Sequence, residues 1–533
     1  MAPSAKTTVV AGATVHTLDD AYGTVQALAV RGDRILAAGT LAQCRDVAGP
    51  GADTMDLAGS TIVPGLTDSH LHTAEYARSL VSVDLRHAAS LADALAEVDR
   101  HAAAMPADAW ILGGGWDFHR WSVPVQPHRR DLDAVAPDRP AALHSIDIHT
   151  AWLNSAALAW LGIDRHSADP PGGQIVRDTD GEPTGILRES ATALLRAALP
   201  ADGSLPDLLR AALPTLLSHG ITSVHDIDGA EARAAFRTLR AAGDLPIRVH
   251  TLIRQPELPA ALAQGWRTGD GDPWLRIGPV KLFTDGALGS HSCLMSRGFA
   301  DEPDNHGIAV TGPAELRELV HTASRAGIAV AAHAIGDAAN HLLLDALQTA
   351  AAASPDTRPE SRLRHRVEHA QFLQAADVGR FARLGVIASM QPTHCTSDIA
   401  LVQRMLAGHE VARYAWRSLL DAGAVVTFGS DAPVEDPNPW LGIHAAVTRQ
   451  RVDGTPAGGW VPEERITLAQ ALRGYTVAPA YASGEERLKG RLRPGMLADF
   501  AVLTQDPFDV DPSALHGISV TATVVGGRTR WSA

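Results

Sequence analysis

Lysine is almost missing from this chain. Lys6, Lys281 and Lys489 are the only three among 46 basic residues in 533, and arginine supplies the rest. Cysteine is equally scarce. Cys44, Cys293 and Cys395 are odd in number and share no short spacing. That excludes a disulfide framework and a cysteine-based zinc site, and fits a reducing compartment. No basic run occurs and the net charge is −14, which argues against a nucleic-acid partner. No apolar stretch reaches the about 18 residues of a membrane span, so no membrane partner is expected. The opening MAPSAKTTVV has no cationic start leading into a long apolar core, so no leader is expected and the compartment reads as cytoplasmic.

What is present is a repeating pattern. The first 60 residues read as strands and tight turns, and so do the last 40, where Gly526-Gly527 marks a hairpin. Residues 1–60 and 485–533 are therefore expected to build one composite β-sandwich. Between them, apolar strands are expected at 61–68, 221–227, 247–254, 277–285, 327–335, 364–370, 385–391 and 424–431. Helical spacing follows many of them, as at 230–242, 313–326, 337–352 and 401–422. Eight such units predict an α/β fold, a (β/α)8 TIM barrel over 61–84 and 216–484, with its active site at the carboxyl ends of the strands. The link from strand 1 to strand 2 far exceeds the about 30 residues of a βα unit. Residues 85–215 must form a large insertion, and it leaves the barrel on the catalytic face.

The strand ends carry the chemistry. Strand 1 ends in Asp68-Ser69-His70-Leu71-His72, and in extended chain His70 and His72 point the same way. H-x-H alone is a weak signal among 24 histidines. However, His333, His369 and Asp431 also fall at the ends of apolar strands, the level at which barrel catalysis occurs. Lys281 lies within PVKLF, where an ammonium is costly to bury, whereas Lys6 and Lys489 read as exposed. A neutral buried amine can take up carbon dioxide to give a carbamate, an anion able to bridge two metals. Lysine can be deprotonated by burial and arginine cannot. The competing reading is an ordinary ion pair of Lys281 with Asp285 or another strand-end acid.

The strings PGLTDSHLHT, VKLFTDG, HAIGD, VEHAQ and GSDAP, taken in this order, resemble the amidohydrolase superfamily, in particular the amidohydrolase-3 or YtcJ-like group that includes N-substituted formamide deformylases. GGGWD and HTAWLNSAAL resemble that group's insertion. The resemblance implies a hydrolase of non-peptide carbon–nitrogen bonds with two divalent metal ions, zinc being the first candidate. His70, His72 and Asp431 would hold the more buried ion. His333 and His369 would hold the second, and carboxylated Lys281 would bridge them. Asp431 would also be the catalytic proton shuttle. A homodimer is implied as well. Two rivals stand beside this reading. One is a mononuclear deaminase on the same fold, which needs a Glu near the strand-5 histidine, where Ala-Ile-Gly-Asp stands instead. The other is a non-catalytic metal-binding regulatory protein, which would be expected to have lost ligands. His225 and Asp226 lie at the end of strand 2 without an assignable role. Trp116, after three glycines, and His149 are candidate substrate contacts. They point to a largely apolar pocket for a small-molecule amide, such as an N-substituted formamide.

Overall fold

The computed structural model describes residues 6–105, 109–198, 204–353 and 363–533; residues 1–5, read above for a leader, lie outside it. Eight parallel strands make up one sheet: β1 Leu66–Leu71, β2 Ile221–Asp226, β3 Arg248–Arg254, β4 Leu275–Phe283, β5 Val330–Ala334, β6 Arg366–His369, β7 Ile387–Met390 and β8 Val426–Phe428. They pair in chain order from β1 to β8. Most are buried along their whole length, which is why they read as unbroken apolar runs rather than alternating ones.

Side chains close the seam between β8 and β1. Ser69 Oγ donates to the Phe428 carbonyl at 2.6 Å. The Asp68 carboxylate accepts from the Ser430 amide at 3.1 Å and from its hydroxyl at 2.5 Å. The Asp431 amide donates to the His70 carbonyl at 2.8 Å. A β-carbon on Gly429 would lie 2.5 Å from the His70 nitrogen, so only glycine lets the two strands come this close. The result is a nearly closed (β/α)8 TIM barrel.

The segment expected as one strand over 61–68 is two. Thr61–Pro64 pairs antiparallel with Phe500–Leu503, outside the barrel, and the chain then turns at Pro64-Gly65 into β1. Proline has no amide to continue a ladder. That terminal sheet has six strands. A four-stranded sheet, which includes Thr7–Ala11 and Ala27–Arg31, shares a core with it through Val10, Val30, Ile62, Phe500 and Val524. The hairpin at Gly526-Gly527 is present, both glycines having positive φ.

The helices follow their apolar stripes. Ala230–Ala242 buries Ala232, Phe236 and Leu239 and stops at left-handed Gly243. The expected 401–422 helix is broken instead into Ile399–Met405 and Trp416–Asp421. Gly408 and Tyr414 both take positive φ between them, which no helix tolerates. The insertion builds a six-stranded sheet from Val83–Asp84 to Pro183–Glu189 around Trp116, Trp121 and Trp152.

Lys489 corrects an expectation: it is buried, not exposed. Its ammonium donates to Ser223 Oγ at 2.6 Å and pairs with Glu485 at 3.1 Å. Nearby, Arg248 of β3 grips Asp499 through two bonds of 2.6 and 2.9 Å, and Asp499 also accepts from the Gly526 amide at 2.7 Å. Both partners are buried, so removing one leaves an uncompensated charge. We expect Asp499→Ala to lower unfolding free energy by about 3–5 kcal/mol in denaturant titration. A change below about 1 kcal/mol, the range of an exposed pair, would contradict this.

Candidate metal centre

The residues singled out at the strand ends do converge. His70 closes β1 with Leu71, and His72 begins the turn into helix Thr73–Ser79. His333 lies in β5 and His369 ends β6. Asp431 stands three residues past β8 with φ of +61°, a conformation seldom kept by a non-glycine residue away from a functional site. One nitrogen each from His70 and His369 and one oxygen from Asp431 lie within 4.8 Å of one another. His72 Nε2 is 3.5 Å from Asp431 Oδ1. The His333 ring packs against His369 with centroids 4.4 Å apart. Lys281 is 1% exposed, its amine 4.9 Å over the Phe283 ring.

Each of three imidazoles is oriented through its Nδ1, which in His369 also lies 4.0 Å from Asp431 Oδ2. His70 Nδ1 lies 2.6 Å from Glu368 Oε2, His72 Nδ1 2.8 Å from Asp228 Oδ1, and His369 Nδ1 3.0 Å from Gln391 Oε1. A donor bond from Nδ1 leaves the Nε2 lone pair facing the cluster, the arrangement in which histidines bind metals. His70 Nε2 and Asp431 Oδ1 are fully buried and have no hydrogen-bond partner among the described residues. Buried polar atoms left in this way mark a missing ligand. This nitrogen-and-oxygen set fits a divalent metal of the zinc, manganese or cobalt type.

The electrostatics agree. Burial drives His333 and His369 well below the usual imidazole range, which leaves the neutral, ligating form. Burial pushes Glu368 and Asp431 upward, but the Arg366 guanidinium and His70 hold Glu368 below its ordinary range, and His70 and His369 hold Asp431 far below its own. Lys281 is pulled down to about 8 by burial, with Glu368 and Asp431 opposing. Lys281 has no ion-pair partner among the described residues. Asp285, its supposed partner, accepts instead from the backbone amides of Leu294, Ile335 and Gly336 at 2.8–3.0 Å.

A cavity of about 1000 Å³ opens over this cluster, walled by the barrel loops and the insertion. Trp116 and His149 both line it. Trp116, however, belongs to the insertion's core, its Nε1 donating to the Leu143 carbonyl at 2.8 Å. The glycines before it serve the sheet, since β-carbons on Gly113 and Gly114 would strike the Val83 and His144 carbonyl oxygens at 2.2 and 2.4 Å. Trp110, Trp121 and Trp152 are buried away from the cavity and Trp160 is exposed. More of the wall is apolar than polar, but charged residues also line it: Asp117, Arg120, Arg188, Glu302, Arg404 and Glu435.

The match to the amidohydrolase family runs from residue 53 to residue 530. The chain belongs to the amidohydrolase family. It is 30% identical over 530 residues to the putative amidohydrolase YtcJ of Bacillus subtilis (strain 168), covering 97% of this chain and 98% of that one. It is 31% identical to the N-substituted formamide deformylase of Arthrobacter pascens, with 98% of each chain covered. Among solved structures, an uncharacterized metal-dependent hydrolase from Pyrococcus furiosus superposes with a TM-score of 0.75 at 29% identity, covering 94% of this chain and all of that one.

Several neighbours of the cluster were not picked out in the sequence. Glu368 and Asp228 orient His70 and His72, and His394 stacks on His369 at 6.0 Å with its Nε2 3.8 Å from Asp431. Glu368 and Arg366 in RHRVEHA are, like Lys281, charges inside an apolar strand and carry the same signal. His225 finds its place here too, its Nδ1 accepting from Arg366 at 2.8 Å, while Asp226 accepts from the Thr73 amide at 3.3 Å. If Asp228 orients His72, then Asp228→Ala should weaken zinc binding about 10–100-fold in equilibrium dialysis. Unchanged affinity would mean that His72 needs no such support.

Proposed function

We propose that this amidohydrolase-family chain is a metal-dependent hydrolase cleaving a non-peptide carbon–nitrogen bond of a small amide. The observation that carries this is the buried cluster of His70, His369 and Asp431, in which His70 Nε2 and Asp431 Oδ1 stand 3.2 Å apart and neither makes a well-formed hydrogen bond among the described residues. His72 and His333 stand against it, and Lys281 lies within the electrostatic reach of His70, Glu368 and Asp431. In this reading His70, His72 and Asp431 would hold one divalent ion and His333 and His369 a second, with a carbamate on Lys281 supplying a further anionic ligand. Bound there, two such ions would bring a shared water's pKa toward neutrality and polarise the scissile carbonyl.

The protein's own part is proton movement and orientation. The Asp431 carboxylate, through the oxygen that the ion leaves free, would accept the proton of the attacking water and return it to the leaving nitrogen. Amine departure needs that proton. Glu368, Asp228 and Gln391 keep the imidazoles turned toward the centre, and the insertion roofs the cavity. The formamide deformylase relative supports an N-substituted amide as substrate, and the metal-dependent neighbour supports the cofactor class.

Two substitutions separate binding from catalysis. Lys281→Arg keeps the charge but cannot form a carbamate, so it should lose the metal pair and activity together, read by metal analysis and by turnover of N-substituted formamides. Wild-type metal content and rate in that variant would overturn the bridge. Asp431→Asn should retain most of the metal, because the other ligands remain. It should lose turnover about 10²–10⁴-fold, the usual share of a general acid–base. Activity within a few-fold of wild type would place the base elsewhere.

A further inference from the structure

The insertion does more than roof the cavity. His149 precedes its strand Thr150–Leu153 and Glu189 ends its strand Pro183–Glu189; the Glu189 amide donates to the His149 carbonyl at 2.8 Å. Their side chains meet again. His149 Nδ1 lies 2.7 Å from Glu189 Oε2. The other oxygen, Oε1, accepts from the Ser292 hydroxyl and, at 3.4 Å, from Ser290, both on the loop after β4. Glu189 is thus pinned to the barrel, is 7% exposed, and holds φ of +52°, which a β-carbon disfavours. Such a conformation persists where its surroundings enforce it, and these are often functional sites.

The far side of His149 is free. Its ring lines the cavity with the centroid 5.3 Å from that of His333, and its Nε2 has no hydrogen-bond partner among the described residues. The Asp147 carboxylate accepts from the His149 amide at 3.1 Å, which fixes the backbone below the ring. A side chain held at one nitrogen and at its backbone, with the other nitrogen open to a cavity beside the metal cluster, is a preorganised contact.

We infer that His149 Nε2 hydrogen-bonds the amide group of the substrate at the barrel mouth, and that Glu189 is its positioning residue. This rests on the metal-dependent amidohydrolase reading above. Sequence pointed to His149 through family likeness alone; Glu189, its serine anchors and the geometry that turns Nε2 to the cavity come from the fold.

A double-mutant cycle tests it, using the zinc-loaded enzyme and N-phenylformamide as the probe. Glu189→Ala and His149→Ala should each lower kcat/KM about 10²-fold, as expected when a reacting contact is misplaced. The double variant should be no worse than either alone, because both remove one interaction. Glu189→Gln, whose carbonyl can still accept from Nδ1, should recover most of the loss. Zinc per chain should stay at the wild-type value in all four variants. Multiplying losses in the double variant, no recovery with Gln, or loss of zinc in Glu189→Ala would overturn the positioning role. If the wild type does not turn over the formamide, the same cycle is read in calorimetric binding of benzohydroxamate, with the same equal and non-additive losses expected. A wild type that binds zinc and hydroxamate while the variants bind as well as it does would overturn this inference alone. A wild type that binds neither would overturn the metal reading and this inference with it.

Discussion

Charge and imidazole taken out of water at one end of a barrel set the terms for the rest of this protein. Asp431, Glu368, Lys281 and the histidines around them are buried to a degree that isolated charges do not tolerate. Each must be matched, either by a neighbour or by a ligand. Glu368 is matched by Arg366 and His70, and Arg366 in turn by His225. His70 Nε2 and Asp431 Oδ1 face each other at 3.2 Å where the strand ends meet, without a well-formed hydrogen bond between them.

Holding them there requires that β1 and β8 stay in register. Their seam depends on Ser69, Asp68, Ser430 and the close approach at Gly429 more than on backbone pairing. The same contacts place His70 and Asp431 side by side, so closing the barrel and assembling the cluster are one event. At the opposite end, Arg248 and Asp499 tie β3 to the carboxyl-terminal strands.

The barrel was legible because its strands are buried on both faces and leave apolar runs at regular spacing. The candidate ligands were legible because polar residues that end such runs are conspicuous. The second layer was not. Glu368 stood one residue from His369, yet only contact with His70, on a strand at the other end of the chain, shows what it does. Lys489 looked exposed because its neighbours are polar; burial came from a fold contact with Ser223, which no local window contains. Trp116 read as a substrate contact from its glycines; packing puts it in the insertion's core, at the edge of the cavity. Glu189 carries no sequence signal beyond the segment in which it lies, since its role depends on serines about a hundred residues away.

The proposed centre would pair two ions with a carbamate on Lys281. The most direct measurement is metal per chain by elemental analysis of protein reconstituted with zinc and ¹³C-bicarbonate, read together with the ¹³C carbamate resonance. The account predicts two zinc ions per chain and one carbamate signal that is absent from Lys281→Arg. One ion or none per chain, with no carbamate resonance in the wild-type protein, would contradict it.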